Sequence, residues 1–210
     1  MNKSTRTLIT TLVIGSAAVA SHADIIFQDD FESGLSLWTG KNDGAHHGFL
    51  TNDPLGGLNT VLAFNGLIAG GDMFSESPFS LESNQSYRMS FDYLGLANQN
   101  SNASDTGGYV GFSVGTAGNH RWMWATGSVS GADDVLIDDG AWHSYQFEFT
   151  TADLSLGSNV RLMIEDFSGS GGSAGDAFFD NFQIAAVPGP GAAALFGIGG
   201  VLVVSRRRRS

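Results

Sequence analysis

Three tryptophans stand out as residues that could bind a ligand. Trp122 and Trp124 are separated by a single residue, Met123. In a β-strand, alternate side chains point to the same face about 7 Å apart, and rings at that spacing can stack on the C–H face of a sugar. Trp142 could extend such a platform. The spacing allows two interpretations, a sugar-binding surface made by Trp122, Trp124 and Trp142 and filling of the hydrophobic core, and the second is favoured because two tryptophans on one strand face usually fill a core.

A run of carboxylates is the second candidate for chemistry. Asp133, Asp134, Asp138 and Asp139 lie within seven residues of one another, and carboxylate oxygens are ligands that Ca²⁺ prefers. Their spacing does not match the EF-hand loop. Two interpretations stay open, an acidic loop that binds metal and a pair of turns whose carboxylates face solvent, and the second is favoured.

A third pattern, G-x-S-x-G, occurs at residues 111–115. It marks a catalytic serine only at a strand-to-helix turn of an α/β sheet, and here a tryptophan-rich strand pattern follows instead of a helix. Ser113 is therefore interpreted as a strand residue. The sequence contains no recognisable pair of glycosidase carboxylates. It assigns no catalytic residue, and we expect a protein that is not an enzyme.

Composition and charge exclude several classes of function. The chain has 210 residues, with 29 glycines, no cysteine and 15% charged residues. The lack of cysteine excludes a disulfide scaffold, a cysteine-ligated zinc site and a cysteine nucleophile. All 21 acidic residues lie between Asp24 and Asp180, where only four basic residues occur, so this segment carries a formal net charge of −17. Such a segment repels nucleic acid and anionic lipid but could attract divalent cations.

The elements that must position these residues are short β-strands. Apolar and polar residues alternate in residues 87–93 and 143–149, and every second residue of 160–165 is a branched apolar one. Phe178, Phe182 and Ile184 share one parity. Such alternation is typical of half-buried strands, and clusters of Gly, Asn, Asp and Ser separate the strands. Residues 24–186 are therefore predicted to form an all-β fold, a two-sheet antiparallel jelly-roll sandwich.

The N-terminus is typical of a secretory signal peptide. Lys3 and Arg6 precede a short apolar stretch, and small residues follow it up to Ser21-His22-Ala23. A basic start, a short apolar core and a small-x-small end are the features of a cleaved signal. Because the apolar run is short for a bilayer span, we expect cleavage after Ala23, with an uncleaved anchor as the alternative.

The C-terminus contains an apolar segment that ends in four arginines. A Pro-Gly-Pro motif at residues 188–190 precedes 13 uncharged residues, 192–204. Residues 187–204 together make 18 uncharged residues, a length that only just crosses a hydrocarbon layer of about 30 Å. Positive residues stay on the cytoplasmic side of a membrane. The tail therefore predicts a transmembrane helix that leaves the body of the protein facing outward.

This tail, residues 187–210, resembles the PEP-CTERM sorting signal of Gram-negative bacteria, which often make exopolysaccharide. The resemblance implies that a membrane-embedded exosortase cuts near the motif, and that the protein is anchored only transiently in the inner membrane before release or display at the cell surface. Gly189 stands where the family usually has Glu, which leaves open which exosortase reads the motif. An ordinary single-span tail is the alternative. The residues that carry the resemblance are Val187, Pro188, Gly189, Pro190, Arg206, Arg207, Arg208 and Arg209.

The two ends of the central segment resemble carbohydrate-binding-module jelly rolls. Residues 29–34, DDFESG, with Trp38 shortly after, are similar to the first strand of those modules, and residues 178–184, FFDNFQI, to the last. Those modules commonly hold a structural Ca²⁺ between these strands. The resemblance implies that Glu32 and Asp180 are its carboxylate ligands, which suits an ion that takes six to eight oxygens. Plain surface carboxylates are the alternative.

Together these features predict an exported, exosortase-processed surface or extracellular-matrix protein with a non-catalytic polysaccharide-binding domain. A purely structural surface or biofilm protein without a small ligand is the alternative, and a polysaccharide hydrolase is less favoured. The expected partners are the exosortase, the secretion machinery and extracellular polysaccharide, with the membrane as a partner before processing. The predicted domains are a signal peptide (1–23), a β-sandwich (24–186) and a sorting signal (187–210).

Overall fold

Two packed β-sheets make up the part of the protein that the computed structural model describes. Ala23–Val187 form one compact unit. Most of the predicted signal peptide and of the predicted sorting signal lies outside the described residues. Within the described residues, no helix is long and apolar enough to cross a membrane. The described residues are 23–40, 48–65, 71–96, 108–115, 119–126, 132–166 and 174–188.

Thirteen strands and one short helix are present in these residues. They are β1 (Ile25–Asp29), β2 (Trp38–Gly40), β3 (Gly48–Asn52), β4 (Thr60–Asn65), β5 (Gly71–Ser75), β6 (Phe79–Ser80), β7 (Ser86–Gly95), β8 (Gly108–Ser113), β9 (His120–Thr126), β10 (Asp134–Leu136), β11 (His143–Thr150), α1 (Thr151–Leu154), β12 (Asn159–Asp166) and β13 (Ala174–Ala186).

The strands are divided between a six-stranded and a seven-stranded sheet. The six-stranded sheet has the order β11-β7-β13-β4-β3, and β1 pairs with β13. The seven-stranded sheet has the order β10-β9-β8-β12-β5-β2, and β6 pairs with β12. The pairings between the described strands are antiparallel except for that of β10 with β9, which is parallel. This arrangement confirms the predicted all-β, two-sheet sandwich with a jelly-roll-like topology.

The core between the sheets is formed by the alternating apolar residues of the central strands. The side chains of Tyr87, Met89, Phe91 and Tyr93 on β7 are at most 3% exposed. From the opposite sheet, Val160, Leu162 and Ile164 of β12 belong to the same buried cluster. The period-two pattern thus predicts the buried faces of β7 and β12 correctly, because both strands are regular over these residues.

A β-bulge interrupts the alternation in β9. Val110 of β8 pairs with Trp124, and the next residue of β8, Gly111, pairs with Trp122. Met123 is therefore an extra residue on β9, and such an insertion turns the side chains on its two sides to different faces. The expectation that Trp122 and Trp124 share one face is corrected by this bulge.

A second bulge interrupts β13. Asp180 and Gln183 are three residues apart, whereas their partners on β7 are only two residues apart. Asn181, within the bulge, has φ +53°, in the left-handed region that Asn tolerates better than most residues. As a result Phe182 lies in the main core, whereas Phe178 lies in a separate buried cluster. Phe178 therefore does not share a face with Phe182 and Ile184, and the expectation from their common parity is wrong for this residue.

Gly111 allows the close approach of β8 and β9 at the bulge. A Cβ atom at this position would lie 2.2 Å from the carbonyl oxygen of Arg121 and 2.9 Å from the Cα of Trp122. Both are backbone atoms, so no side-chain rotation can relieve the overlap. We expect Gly111→Ala to lower the free energy of unfolding by about 1–3 kcal/mol, measured by chemical denaturation. An unchanged midpoint would contradict this packing.

Candidate functional site

Trp124 lies in the core between the two sheets. Its side chain is 1% exposed, and its ring meets Phe91 of the opposite sheet edge-on at 5.0 Å and Phe147 at 5.2 Å. Edge-to-face contacts at these distances are favourable packing arrangements for aromatic rings. For Trp124 the structure thus corrects the sugar-platform prediction in favour of its alternative, a core role.

Trp122 lies on the other side of the same strand, on the outer face of the seven-stranded sheet. Its ring is half-buried and contacts two more rings, Tyr109 at 5.3 Å and His120 at 4.8 Å between centroids. None of these three residues belongs to the core clusters, although Tyr109 is buried, with 8% of its surface exposed. We call this group, together with Gly111, Met163 and Glu165, the Trp122 face.

The other members of the Trp122 face are defined by strand register. Met163 of β12 pairs with Gly111, which pairs with Trp122. Two residues further along β12, the half-buried Glu165 pairs with Tyr109. Directly opposed residues lie on the same face of a sheet, so a carboxylate-bearing residue stands beside the aromatic group. Rings beside a hydrogen-bond acceptor can stack on a sugar and orient its hydroxyl groups.

Sequence reasoning missed Tyr109 and Glu165. The only signal for Tyr109 was its place in a strand pattern before the tryptophan-rich strand, and Glu165 was one polar residue in an alternating run. Tyr109 and Glu165 are neighbours because β8 pairs with β12. These two strands are about fifty residues apart along the chain. That pairing is non-local, and no local motif encodes it.

Trp142 lies on the outer face of the opposite, six-stranded sheet. Its ring packs on a small cluster that is separate from the main core, and its Nε1–H donates a hydrogen bond to Asp53 Oδ1 at 3.1 Å. The platform of three tryptophans is therefore not present in the form predicted from the sequence, because Trp124 lies in the core and the other two lie on the outer faces of different sheets. Trp142 contacts a cluster formed by Val61, Ala63, Leu94, Phe178 and Leu96.

Glu32 and Asp180 are brought to the same short segment of chain. Glu32 Oε1 accepts a hydrogen bond from the backbone N–H of Thr60 at 2.7 Å, and Asp180 Oδ2 accepts one from the side chain of Asn59, also at 2.7 Å. Residues 59 and 60 are adjacent, so the fold brings the two predicted calcium ligands, which are far apart in sequence, to neighbouring residues of one segment.

The environment of Asp180 suits a cation. Its side chain is 3% exposed, and burial raises the pKa of Asp180, with further increases from the charges of Asp92 and Asp30 against the opposing hydrogen bonds from Asn59 and Asn181. In the described chain no group of three or more His, Cys, Asp or Glu is placed to hold a metal. An ion held by Glu32 and Asp180 would therefore take its remaining ligands from carbonyl or amide oxygens and water, which Ca²⁺ accepts.

The carboxylates of residues 133–139 make separate structural contacts. Asp133 forms an ion pair with Arg121, and Asp138 Oδ1 accepts a hydrogen bond from the hydroxyl of Tyr93 at 2.6 Å. The hydrogen bond with His143 lowers the pKa of Asp139. Each of these three carboxylates thus has a different partner among the described residues.

Ser113 is a fully buried residue at the end of β8. Its hydroxyl donates a hydrogen bond to the carbonyl oxygen of Asn119 at 3.1 Å and accepts one from the N–H of Gly115 at 3.0 Å. The side chain therefore stabilises the connection between β8 and β9, as expected for a strand residue.

The predicted sorting signal begins where β13 ends. The N–H of Val187 donates to the carbonyl oxygen of Ser86 at 2.8 Å, and its own carbonyl oxygen accepts from Gln85 Nε2 at 2.6 Å. Pro188 is the last described residue. Gly189, Pro190 and the four arginines 206–209 lie outside the described residues, so the sorting signal stays a prediction.

Solved structures resemble this sandwich, although no family model and no curated protein matches the chain. A Clostridium thermocellum xylanase 10B fragment with CBM22-1 and GH10 modules, complexed with xylohexaose, has a TM-score of 0.51 and 14% identity. The match covers 80% of this chain and 29% of that one. The described residues therefore share a β-sandwich fold with part of that structure. At this identity the likeness concerns the fold alone.

Two further structures are similar at lower TM-scores. The CBM22-1–CBM22-2 tandem domain of Paenibacillus barcinonensis Xyn10C has 19% identity and a TM-score of 0.48, over 83% of this chain and 50% of that one. The family 11 carbohydrate-binding module of Clostridium thermocellum, in complex with a mixed-linked tetrasaccharide, has 14% identity and a TM-score of 0.43, over 79% and 96%. This chain thus spans half or less of the first two proteins.

Proposed function

We propose that the β-sandwich is a non-catalytic polysaccharide-binding module and that the Trp122 face holds the ligand. The observation that carries this proposal is the cluster of Trp122, Tyr109 and His120 on the outer side of a sheet. Trp124, two residues from Trp122, packs in the core, whereas Trp122 belongs to neither core cluster. The jelly-roll fold supports the same function.

The charge of the domain favours an uncharged polysaccharide. The segment between Asp24 and Asp180 has a formal net charge of −17, which disfavours a polymer of uronic acids or sulfated sugars. The three described arginines offer little compensation because each is already engaged. Arg88 pairs with Glu148, Arg121 pairs with Asp133, and Arg161 donates to the carbonyl oxygens of Ser75 and Glu76.

The ends of the chain support a proposal about where the protein acts. Residues 1–23 direct export, and an exosortase processes the tail near residues 188–190 while the apolar segment 192–204 holds the precursor in the inner membrane. The product is displayed at the surface of a Gram-negative cell or released from it. There the module binds extracellular polysaccharide, including the cell's own exopolysaccharide.

Calcium acts in this proposal as a structural staple. Glu32 follows β1 and Asp180 lies in β13, so an ion between them ties the first strand of the domain to the last. The buried carboxylate of Asp180, which faces the charges of Asp30 and Asp92, gives the physical reason for a cation at this position.

Affinity electrophoresis tests the proposed function. The Ala23–Val187 unit contains every residue of both hydrophobic clusters and can be studied alone, with circular dichroism to verify folding. We expect one or more neutral polysaccharides, or the native exopolysaccharide, to retard it in gels with calcium present. A folded domain that migrates freely through a broad panel would overturn the proposal in favour of a structural matrix protein, and release of reducing ends would indicate a hydrolase.

A further inference from the structure

We infer that the protein has a second saccharide-binding surface, around Trp142, and that it can therefore bridge two polysaccharide chains. This inference rests on the proposed function of the Trp122 face. It concerns the opposite side of the molecule, the outer face of the six-stranded sheet. The ligand of the second surface is again an uncharged, hydroxyl-rich polysaccharide.

The position of Trp142 follows from alternation on three strands. Ala63, Leu94 and Phe178 belong to the small outer cluster, whereas their neighbours Leu62, Tyr93 and Phe179 belong to the main core. Alternate residues of a strand face opposite sides, so the small cluster lies on the side that faces away from the seven-stranded sheet. Trp142 packs on this cluster and is half-buried.

An aromatic residue also stands at the other edge of this surface. Phe49 of β3 pairs with Ala63, and Ala63 pairs with Phe178. These residues therefore occupy one row across the sheet, with Phe49 41% exposed. The row provides an apolar floor with a ring at each end, a form that suits an extended chain of sugar rings better than a single small molecule.

Polar groups border the same floor. The next row on this side contains Asp92, paired with Asp180 on β13 and with Ser144 on β11. Asp92 accepts hydrogen bonds from the Ser144 hydroxyl and, at 2.8 Å, from the side-chain amide of Asn181. Ser144 and Asn181 are exposed, so a carboxylate, a hydroxyl and an amide are held together beside the indole of Trp142.

This combination suits saccharide recognition at the second surface. A few oriented polar groups next to an aromatic ring fix the position of a hydroxyl-rich ligand, and the mutual hydrogen bonds hold these groups in place before binding. We define the Trp142 face by Phe49, Asp92, Trp142, Ser144 and Asn181.

One straight polysaccharide chain cannot contact both faces. The Trp122 face is the outer side of one sheet and the Trp142 face is the outer side of the other, and the aromatic core lies between them. A protein with binding sites on opposite sides holds two separate polymer chains. Each polymer chain carries many copies of the saccharide unit that the protein binds. Such multivalent contacts raise the retention of a protein in a polymer network without any new contact.

Calorimetry with a short oligosaccharide tests the inference directly. The probe is a hexasaccharide cut from whichever polysaccharide retards the domain. We expect a stoichiometry of two per wild-type molecule and of one for each of Trp122→Ala and Trp142→Ala, with no binding to the double variant. Should Trp142→Ala lose its circular dichroism spectrum, Ser144→Arg replaces it, because Ser144 is exposed and the larger side chain blocks the surface without opening the cluster.

Bridging is measured separately by light scattering from the soluble polysaccharide. We expect the wild type to raise the scattering, and each single variant to bind without raising it. A wild-type stoichiometry of one, together with unchanged binding by both the Trp142 and Ser144 variants, would overturn the second surface while leaving the Trp122 face intact. Absence of binding to any probe would instead refute the proposed function itself.

Discussion

Replacing Trp122 by alanine is expected to weaken polysaccharide binding at the Trp122 face about 10- to 100-fold and to leave the fold intact. The indole is half-buried on the outer face of its sheet and contacts only the rings of Tyr109 and His120 among the described aromatic residues. Loss of one large apolar contact with a ligand costs about 1.5–3 kcal/mol, and each 1.4 kcal/mol is a factor of about ten in affinity. Affinity electrophoresis over a range of polysaccharide concentrations, with Trp122→Ala introduced into a Trp142→Ala background, gives the change in dissociation constant at the Trp122 face alone.

Trp124→Ala is the matched control, two residues away on the same strand. Its ring is 1% exposed and packs against Phe91 and Phe147, so its removal leaves a large cavity. We expect a loss of about 3–5 kcal/mol in the free energy of unfolding, measured by chemical denaturation, a large part of the stability of an ordinary domain. If Trp122→Ala unfolds the domain as readily as Trp124→Ala does, then both rings are core residues and the binding proposal loses its main support.

The contrast between these two tryptophans explains how far the sequence could predict the site. Alternation correctly predicts the buried sides of β7 and β12, because those strands keep a strict two-residue period. It fails at Met123 in β9 and at Asn181 in β13, where one extra residue changes the side to which the following side chains point. A bulge has no strong local signature in this chain. Gly111, which the close approach requires, was visible only as part of a different motif.

Pairing between strands that are distant in sequence decides the rest of the site. The sequence could predict it only where a motif indicated which strands pair. Residues 29–34 and 178–184 suggested an association of the first and last strands, and β1 does pair with β13. That association brings Glu32 and Asp180 to adjacent residues, 60 and 59. Tyr109 and Glu165 had no such motif, and their neighbourhood follows only from the pairing of β8 with β12.

Calcium is expected to stabilise the domain strongly. A ligand that binds only the folded state at 100 times its dissociation constant adds about 2.7 kcal/mol to the free energy of unfolding. For a domain of this size each kcal/mol shifts the melting temperature by about 2–4 °C, so calcium should raise Tm by roughly 5–10 °C over a chelator-treated sample. Differential scanning calorimetry of the Ala23–Val187 unit provides the measurement.

Substitution of Glu32 and Asp180 tests whether these two carboxylates bind the calcium that raises Tm. Glu32→Gln and Asp180→Asn should each remove most of the calcium-dependent rise in Tm, because each deletes one of the charged ligands while retaining a side chain of similar size. Asp134→Asn changes an exposed carboxylate in the other acidic segment and should keep the full rise. A rise that survives in both ligand variants but disappears in Asp134→Asn would move the ion to residues 133–139. A wild-type domain that melts at the same temperature with calcium and with chelator would contradict a structural role for calcium between β1 and β13.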